Sequence, residues 1–247
     1  MRSISFSPGC DIAAEPLARR FRETGRAEIE NFISPHQALA LRTHLLARED
    51  WVLVVNGGNN VYDIPRKVAA EFSCDQRREL DARLAAAARD GFQFCYESVR
   101  VPDEPERRAS RGSLLDDFVD FMSSPEVCAL LGTILGVSDI VFADGQATSY
   151  GPGHFLTEHD DDVVGKNRRA AYVLGLTPTW RLEWGGLLMF HDAEGRMAEA
   201  LSPMMGTLRL FAVPTPHSVS YVTPFAPEPR LSVTGWLRTK LPDQSIA

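Results

Sequence analysis

The segment TEHDDD, residues 157–162, places one histidine among four carboxylates. If it continues as a β-strand, His159 and Asp161 project from one face, roughly 6.5–7 Å apart along the chain, and Asp160 projects from the other. An imidazole and a carboxylate on one face supply two ligands of the 2-His-1-carboxylate triad, which binds Fe(II) and leaves coordination positions open. A solvated acidic turn would carry the same residues, so this pattern alone leaves both interpretations open.

A third ligand is available far downstream in the chain. His217 opens the segment HSVSYV, which follows a proline-containing turn and has the composition of a strand. Inward positions of several strands face one cavity in a barrel, so a distant histidine can complete a ligand set. A calcium loop through the same acidic segment is less well supported, because oxygen ligands do not recur at every second position over about 12 residues.

The segment RLSVTGW, residues 230–236, alternates between polar and apolar side chains. One face carries Arg230, Ser232, Thr234 and Trp236, and the other carries Leu231 and Val233. An arginine inside a barrel needs an anionic partner, because an unpaired buried charge costs several kcal/mol. A ligand carboxylate held bidentately would be such a partner. An arginine facing solvent on an exposed sheet is the alternative.

The elements that must position these residues differ between the two halves of the chain. The first half shows helical periodicity, N-caps, Gly/Asn turns and Pro-rich polar stretches. The predicted elements are a helix over 35–48, a hairpin over 51–64, a long helix over 66–90, a strand over 92–99, a loop over 102–112, and helices over 113–122 and 124–135.

After Gly136 the helical period disappears, and short β-type segments follow one another, each closed by Gly, Pro or Asp. Seven such segments predict a sandwich or a barrel. The expected fold class is therefore α+β, with an N-terminal helical layer packed on a β-barrel in one structural domain. The support layer would comprise residues 1–140 and the barrel core residues 141–247.

Composition excludes several classes of protein. A net charge of −7 argues against a nucleic-acid partner, and the sequence has no apolar run of about 18 residues that would predict a membrane span. The N-terminus has no apolar core of signal-peptide length. The four cysteines are scattered, which predicts reduced, buried thiols in a cytoplasmic protein. Nothing in the sequence indicates the oligomeric state.

The order of these motifs matches a known family. His159-x-Asp161, Gly185–Gly186, His217 and Arg230-x-Ser232 resemble the 2-oxoglutarate/Fe(II)-dependent dioxygenases, and most closely the prolyl 4-hydroxylase-like branch. The flanks SYGPGHFLTEHDD and RRAAYVLGLTPTWRLEWGGLLMF agree, and RLSVTGWL is similar to the closing strand of a branch that modifies ribosomal-protein prolines. The resemblance runs from about 150 to 238 and is looser before 140. The stretch 218–229 is longer and richer in proline than in hypoxia-sensing prolyl hydroxylases.

This resemblance implies a double-stranded β-helix, or jelly roll, and assigns roles to the motif residues. Fe(II) would be bound and catalysis carried out by His159, Asp161 and His217. Arg230 would bind the distal carboxylate of 2-oxoglutarate, with Arg168 or Arg169 as the next candidates. Supporting contacts to 2-oxoglutarate would come from Tyr150, Ser232 and Thr234, and contacts to the substrate from His154 and Trp236. Ascorbate would serve as reductant.

The implied reaction consumes O2 and 2-oxoglutarate, releases succinate and CO2, and hydroxylates an unactivated C–H bond. A prolyl residue of a protein or peptide is the first expected substrate, and a free amino acid or small metabolite is the alternative. A cupin-like metal-dependent isomerase or hydrolase, or a non-catalytic binding barrel, stays open. The hairpin turn at 56–60 is interpreted either as a lid or as a plain exposed turn. Asp160 and Asp162 are expected in solvent, and His191 in a turn.

Overall fold

The computed structural model describes residues 4–240. Within them the helices are α1 Ala14–Thr24, α2 Pro35–Leu46, α3 Arg66–Ala70, α4 Cys74–Asp90, α5 Pro105–Arg111, α6 Leu114–Met122 and α7 Pro125–Leu135. The strands are β1 Arg26–Ile29, β2 Val52–Gly57, β3 Asn60–Pro65, β4 Phe94–Arg100, β5 Phe142–Ala143, β6 Gln146–Tyr150, β7 Phe155–His159, β8 Arg168–Gly175, β9 Leu188–His191, β10 Met197–Leu201, β11 Leu208–Ala212, β12 His217–Val219 and β13 Arg230–Arg238.

These strands form one curled antiparallel sheet whose main path has the order β1-β11-β8-β13-β6-β4-β7-β12-β9-β10; off this path, β2 pairs with β3 and β4, and β5 pairs with β13. Strand β4 lies where the two halves of the sheet meet. The later part of β4, from Glu97 to Arg100, pairs with β6, whereas Phe94 and Cys95 pair with β7. The predicted α+β jelly roll with a helical layer is confirmed.

The main core lies between the helices and one face of the sheet. Strand β13 shows how the two faces divide, because Leu231, Val233 and Leu237 belong to this core and are at most 2% exposed. Alternate residues of the same strand, among them Arg230 and Ser232, face the interior of the curl. The predicted alternation of β13 therefore gives the sheet an apolar face towards the helices and a partly polar face towards the cavity.

The predicted long helix over 66–90 is wrong in one respect, because it breaks into α3 and α4. Ser73 caps α4: its hydroxyl accepts the backbone N–H of Gln76 at 3.2 Å, and the Gln76 side chain accepts the N–H of Ser73 at 2.8 Å. This reciprocal capping box starts a new helix. The box was present in the sequence, but the surrounding Arg, Ala and Leu residues have high helix propensity and hid the boundary.

The predicted loop over 102–112 is also wrong, because it contains α5. Pro105 occupies the first turn, and Gly112 ends the helix with a φ of 55°. Arg108 points inward, where it donates to the Asp120 carboxylate at 2.6 Å and to two backbone carbonyls. This ion pair, in which the guanidinium is buried and the carboxylate is half exposed, stabilises a helix whose polar composition alone predicts a loop.

Two strands were not predicted, and half of the cysteine prediction is wrong. β1 and β10 have the sequences RAEI and MAEAL, whose Ala and Glu residues are depleted in strands generally. Among the cysteines, Cys95 and Cys128 are buried as predicted, whereas Cys10 and Cys74 are exposed. Among the described residues no single helix is long and apolar enough to span a membrane, and α6 with α7 meets that criterion only as a pair bent by 54°.

The division of the chain at residue 140 stays a prediction. Strands β1 to β4 precede that boundary, yet β1 pairs with β11, and β4 lies between β6 and β7. We propose that the helical and barrel parts form one structural unit, because strands from both sides of residue 140 alternate in the same sheet.

Candidate active site

The interior of the curled sheet contains a cavity of about 340 Å³. Its walls combine aromatic side chains from β4 and β6 with the polar face of β13. His159, Asp161 and His217 lie on its lining. The residues that the sequence singled out as iron ligands and as the carboxylate clamp therefore face a single space.

The three candidate iron ligands form a compact cluster. The Nε2 atom of His159 lies 3.4 Å from one Asp161 carboxylate oxygen, and the Nε2 atom of His217 lies 3.5 Å from the other. One ligand atom from each residue falls within 4.8 Å of the other two. His159 and His217 are directly opposite in the antiparallel β7–β12 pair, so the sheet register brings the two imidazoles together.

Asp161 reaches this cluster by a route that differs from the prediction. Strand β7 ends at His159, and Asp161 adopts a left-handed backbone conformation with a φ of 63°. Its position therefore does not come from strand alternation. Asp tolerates this conformation better than most residues, and the Arg168 guanidinium donates to the Asp161 carbonyl at 2.9 Å. Arg168 thus holds the backbone from which the carboxylate projects.

The environment of the cluster suits a divalent metal. Each histidine has its Nδ1 atom beside a backbone carbonyl two residues earlier, at 3.1 Å for His159 and 2.8 Å for His217, so that each Nε2 faces Asp161. Burial and the neighbouring His159 lower the pKa of His217 to about 4. Burial raises the pKa of Asp161, but its hydrogen bond with His159 and the charges of both histidines outweigh this, and the net shift is downward. Neutral imidazoles with an ionised carboxylate are the donor set that Fe(II) requires.

Arg230 has a position that a solvent-facing arginine would not have. Arg230 is 2% exposed, and its Nη1 donates to the Gly186 carbonyl at 2.8 Å. Its Nε atom has no hydrogen-bond partner, and no carboxylate of residues 4–240 forms a salt bridge with the guanidinium. Burial lowers its pKa to about 10. A buried guanidinium without a carboxylate partner among the described residues is suited to bind an anionic ligand.

The two glycines of the Gly-Gly motif support Arg230. Gly185 and Gly186 have φ values of 69° and 63°. A Cβ atom on Gly185 would lie 2.0 Å from the Tyr221 carbonyl oxygen, so no other residue fits at this close approach. The motif turns the chain so that the Gly186 carbonyl accepts a hydrogen bond from the guanidinium.

The other predicted contacts to 2-oxoglutarate surround Arg230. Tyr150 pairs with Arg230 across β6 and β13, and its ring centroid lies 5.6 Å from the guanidinium carbon. Ser232 shares a 3.0 Å hydrogen bond with the Thr148 hydroxyl, and Thr234 also lines the cavity. Burial raises the pKa of Tyr150 above its ordinary value, so its hydroxyl stays protonated and available as a donor. The roles of these residues stay predictions.

Trp236 belongs to a polar network at the edge of the cavity. The Arg168 guanidinium carbon lies 3.5 Å from the centroid of the Trp236 ring. The Trp236 backbone N–H donates to Asp144 at 2.8 Å, and Arg238 lies 3.4 Å from the same carboxylate. This network connects Asp144, through Trp236 and Arg168, to the backbone of Asp161.

Asp144 should make the protein more stable at low pH within this network. Burial raises its pKa from 3.8 to about 6. The folded state therefore holds the proton more tightly, and this stabilisation is fully present below about pH 4 and is lost as pH rises through about 6. We expect Asp144→Asn, which cannot ionise, to remove a pH-dependent difference of about 3 kcal/mol. Urea unfolding from pH 4 to 7.5 checks this: equal slopes of stability against pH in both proteins would contradict it.

The structure corrects one of the two predictions about further histidines. His154 lies outside the cavity lining, buried in the turn before β7, where its Nδ1 atom accepts the Gly151 backbone N–H at 3.1 Å; its contact with a substrate stays a prediction. His191 is not in a turn but ends β9. Asp160 and Asp162 are exposed, as predicted, at the rim of the cavity.

One group of cavity residues was missed by the sequence analysis. Phe92, Phe94 and Tyr96 recur with a period of two, and Tyr150 continues the series, with successive ring centroids 5.4, 5.7 and 5.3 Å apart. We call these four residues the aromatic wall. The Phe92 ring also lies 5.5 Å from the His159 ring. The alternation was visible, but it predicted only a strand, because nothing in the sequence indicated which face would meet the cavity.

The hairpin turn at 56–60 is connected to this wall. The Asn56 side chain donates to the Phe92 carbonyl at 3.0 Å and accepts the Phe94 N–H at 3.1 Å. A movement of the hairpin would therefore be transmitted to the residues beside His159. Its role as a lid stays a prediction.

Comparison with known proteins agrees with the geometry. Residues 145–238 match the model of the 2OG-Fe(II) oxygenase superfamily. Prolyl 3-hydroxylase OGFOD1 from Xenopus laevis is 28% identical over 165 residues, which make up 64% of this chain and 30% of that protein. The chain thus spans about a third of the length of this curated relative.

Two solved structures share the fold. A prolyl-4-hydroxylase from Pseudomonas putida superposes with a TM-score of 0.61 at 18% identity, covering 92% of this chain and 100% of that one. A Trichoplax adhaerens prolyl hydroxylase, solved with a hypoxia inducible factor oxygen degradation domain peptide fragment, gives a TM-score of 0.59 at 18% identity, covering 92% and 89%. Residues 145–238, which contain all the motifs of the candidate site, therefore match the 2OG-Fe(II) oxygenase superfamily, and the chain shares the fold of two prolyl hydroxylase structures.

Proposed function

We propose that the protein is a 2-oxoglutarate- and Fe(II)-dependent dioxygenase that hydroxylates a prolyl residue of a protein or peptide. The observation that carries the proposal is Arg230, a buried cation without a carboxylate partner among the described residues, in the same cavity as the His159, Asp161 and His217 cluster. A dicarboxylate that binds both the metal and the guanidinium would satisfy both sites. A cupin-like isomerase or hydrolase has no use for such a clamp.

Each residue of the cavity has a separate proposed role. His159, Asp161 and His217 would hold Fe(II), which supplies oxidative decarboxylation of 2-oxoglutarate and oxygen insertion into a C–H bond. Arg230 would bind the distal carboxylate through two parallel N–H donors. Tyr150 and Thr234 would donate hydrogen bonds beside it, and the apolar lining excludes water from the reacting carbon.

The aromatic wall supports a substrate with an apolar ring. Phe92 is 50% exposed and stands between solvent and the candidate metal ligands, with its ring 5.5 Å from that of His159. A pyrrolidine ring can pack against such a surface. The names of the relatives support prolyl substrates and differ in the carbon that is hydroxylated, so both C3 and C4 are candidate positions.

We therefore expect Phe92→Ala to weaken binding of a prolyl peptide and to spare the cofactor sites. Loss of one aromatic contact should raise the Michaelis constant of the peptide roughly threefold to tenfold. The affinity for 2-oxoglutarate and the amount of bound iron should not change. Phe225→Ala is the control, because Phe225 is 74% exposed and is not among the residues that line the cavity. Equal Michaelis constants for the peptide in both variants would contradict the assignment of the wall.

The central experiment measures succinate release with Fe(II), 2-oxoglutarate and O2. Proline-containing peptides form one arm, and free amino acids and small metabolites form the other. Mass spectrometry of the product should find an added mass of about 16 Da, one oxygen atom, on a prolyl residue. Product on a free amino acid alone would favour the alternative substrate class, and turnover without 2-oxoglutarate would exclude a 2-oxoglutarate-dependent dioxygenase.

Ascorbate and the cellular location complete the proposal. We propose that ascorbate reduces iron that becomes oxidised during uncoupled cycles, so that repeated turnover depends on it and a single turnover does not. The cytoplasmic location rests on the scattered cysteines, which are unpaired within the described residues. Cell fractionation tests the location, and turnover numbers with and without ascorbate test the reductant.

A further inference from the structure

A hydrogen-bonded chain of three side chains lies behind the candidate metal ligands. The His191 imidazole connects Glu158 and Ser218: its Nδ1 atom lies 2.5 Å from a Glu158 carboxylate oxygen, and its Nε2 atom lies 2.8 Å from the Ser218 hydroxyl. The three residues come from β9, β7 and β12, which are neighbours in the sheet. We call this group the Glu158–His191–Ser218 bridge.

Two members of the bridge adjoin the candidate ligands in sequence. Glu158 precedes His159, and Ser218 follows His217. Because successive residues of a strand project from opposite faces, the bridge and the two ligands lie on opposite sides of the same strands. None of the three bridge residues lines the cavity that contains His159 and His217. The bridge therefore supports the ligands from behind.

The bridge acts at an irregular point in the sheet. His217 pairs with His159, and Val219 pairs with Leu156, so Thr157 and Glu158 both lie opposite Ser218 alone. This is a β-bulge, which adds a residue to β7 and changes the direction of the side chains that follow it. Such an irregularity beside a metal ligand needs additional contacts to fix its geometry.

Contacts fix the bulge from both sides. On the β4 side, Gln93 donates its N–H to the Thr157 hydroxyl at 2.8 Å, and its carbonyl accepts the Thr157 N–H at 2.9 Å. On the other side, Glu158 is bound by His191. Between these anchors, the Thr157 carbonyl lies 3.1 Å from the Nδ1 atom of His159 and orients that ring. The position of the bulge therefore sets the direction of the His159 lone pair.

The serine, histidine and carboxylate follow the order of a hydrolase triad, but Ser218 does not suit a nucleophile. It is 4% exposed, and it is not among the residues that line the cavity containing the candidate metal ligands. A nucleophile requires access to a substrate. The imidazole instead connects the two other groups: with a proton on Nδ1 it donates to Glu158, and its Nε2 is within hydrogen-bond distance of the Ser218 hydroxyl.

We infer that His191 is a positioning residue, which, through Glu158 and Ser218, fixes the bulge in β7 and thereby the separation and direction of the two metal-binding imidazoles. The inference rests on the proposed iron site. The ring centroids of His159 and His217 are 4.1 Å apart, so a small shift of β7 against β12 changes the distance between the two Nε2 atoms. Outer contacts of this kind tune metal affinity, typically by about 10- to 100-fold when they act directly on a ligand.

The test uses Co(II) as a spectroscopic substitute for Fe(II) in the full chain without 2-oxoglutarate. We expect Glu158→Ala and His191→Ala to weaken Co(II) affinity about tenfold, at the lower end of that range because the contact is indirect. Both should also shift the Co(II) visible absorption bands, which report ligand geometry. Glu158→Gln retains an acceptor for the Nδ1 proton and should restore both affinity and spectrum. The Glu158 side chain is 54% exposed, so its substitution does not open the core.

Glu199→Ala is the matched control. Glu199 lies on β10 and pairs with Arg20 and Arg26; β10 belongs to the same sheet but is separated from β12 and β7 by β9. The Glu199→Ala variant should bind Co(II) with the affinity of the wild-type protein. Wild-type affinity and spectra in both Glu158→Ala and His191→Ala would overturn the positioning role alone. A wild-type protein that binds no Co(II) would instead overturn the proposed iron site and, with it, this inference.

Discussion

Asp161→Ala should bind less than a tenth of the iron that the wild-type protein binds, and should show no detectable turnover of 2-oxoglutarate. The carboxylate is the only anionic group among the three clustered ligands, and its two oxygens lie 3.4 and 3.5 Å from the two imidazole Nε2 atoms. Without it, two neutral imidazoles remain at a buried site, and the positive charge of the metal is not compensated. Iron content after anaerobic reconstitution and succinate release measure the two effects.

Asp162→Ala provides the control for this prediction. Asp162 lies one residue further along and is exposed, so its loss changes the local charge equally without removing a candidate ligand. We expect its iron stoichiometry to equal that of the wild-type protein. An Asp161→Ala variant that retains stoichiometric iron or full uncoupled decarboxylation would show that the ligand assignment is wrong.

Arg230→Lys should raise the Michaelis constant for the cosubstrate 2-oxoglutarate by roughly 10- to 100-fold, while iron affinity stays within experimental error of the wild-type value. A lysine keeps the charge but replaces two parallel N–H donors with one ammonium group, so the bidentate contact to a carboxylate is lost. The shorter reach also leaves the Gly186 carbonyl without its donor at 2.8 Å. Steady-state kinetics with varied 2-oxoglutarate and a separate iron titration distinguish the two sites.

Arg169→Lys is the matched control, since Arg169 is exposed and pairs with Asp139 at 2.5 Å.

Binding of 2-oxoglutarate to the same variants can also be measured without turnover, from the melting temperature. Any ligand that binds only the folded state stabilises it by mass action, so 2-oxoglutarate should raise the melting temperature of the wild-type protein more than that of Arg230→Lys. An unchanged Michaelis constant in Arg230→Lys would indicate a different anchor, and Arg168, which also lines the cavity, would be the next to test.

The features of the site that could be predicted are those that depend on local pattern. The alternation of β13 predicted that Arg230 and Ser232 share a face, and the structure has them on the cavity side of the sheet. The position of Asp161 could not be derived in this way. It depends on a left-handed residue and on a hydrogen bond from Arg168, which lies after an intervening turn, and neither follows from strand periodicity.

The same distinction applies to the rest of the fold. Helix α2 was predicted because Ser34 and Pro35 mark its start locally, and its capping box is present in the structure. Helix α5 was missed because the contact that stabilises it joins Arg108 to Asp120 on another helix. The β-bulge at Thr157 and Glu158 is a property of pairing between strands. Sequence patterns therefore indicate which residues share a face, whereas the packing of distant segments determines where that face lies.

The position of β4 between β6 and β7 affects the order in which the strands of the sheet can pair during folding. Strand β4 can pair with β6 and β7 only after residues near 150 have been synthesised. Strands β6 and β8 are joined only when β13, which pairs with both, has formed. Pairing over such long separations slows folding, because chain entropy is lost before the contacts form. During synthesis on the ribosome, the three candidate ligands can therefore come together only after β12, which begins at His217, has emerged and paired with β7.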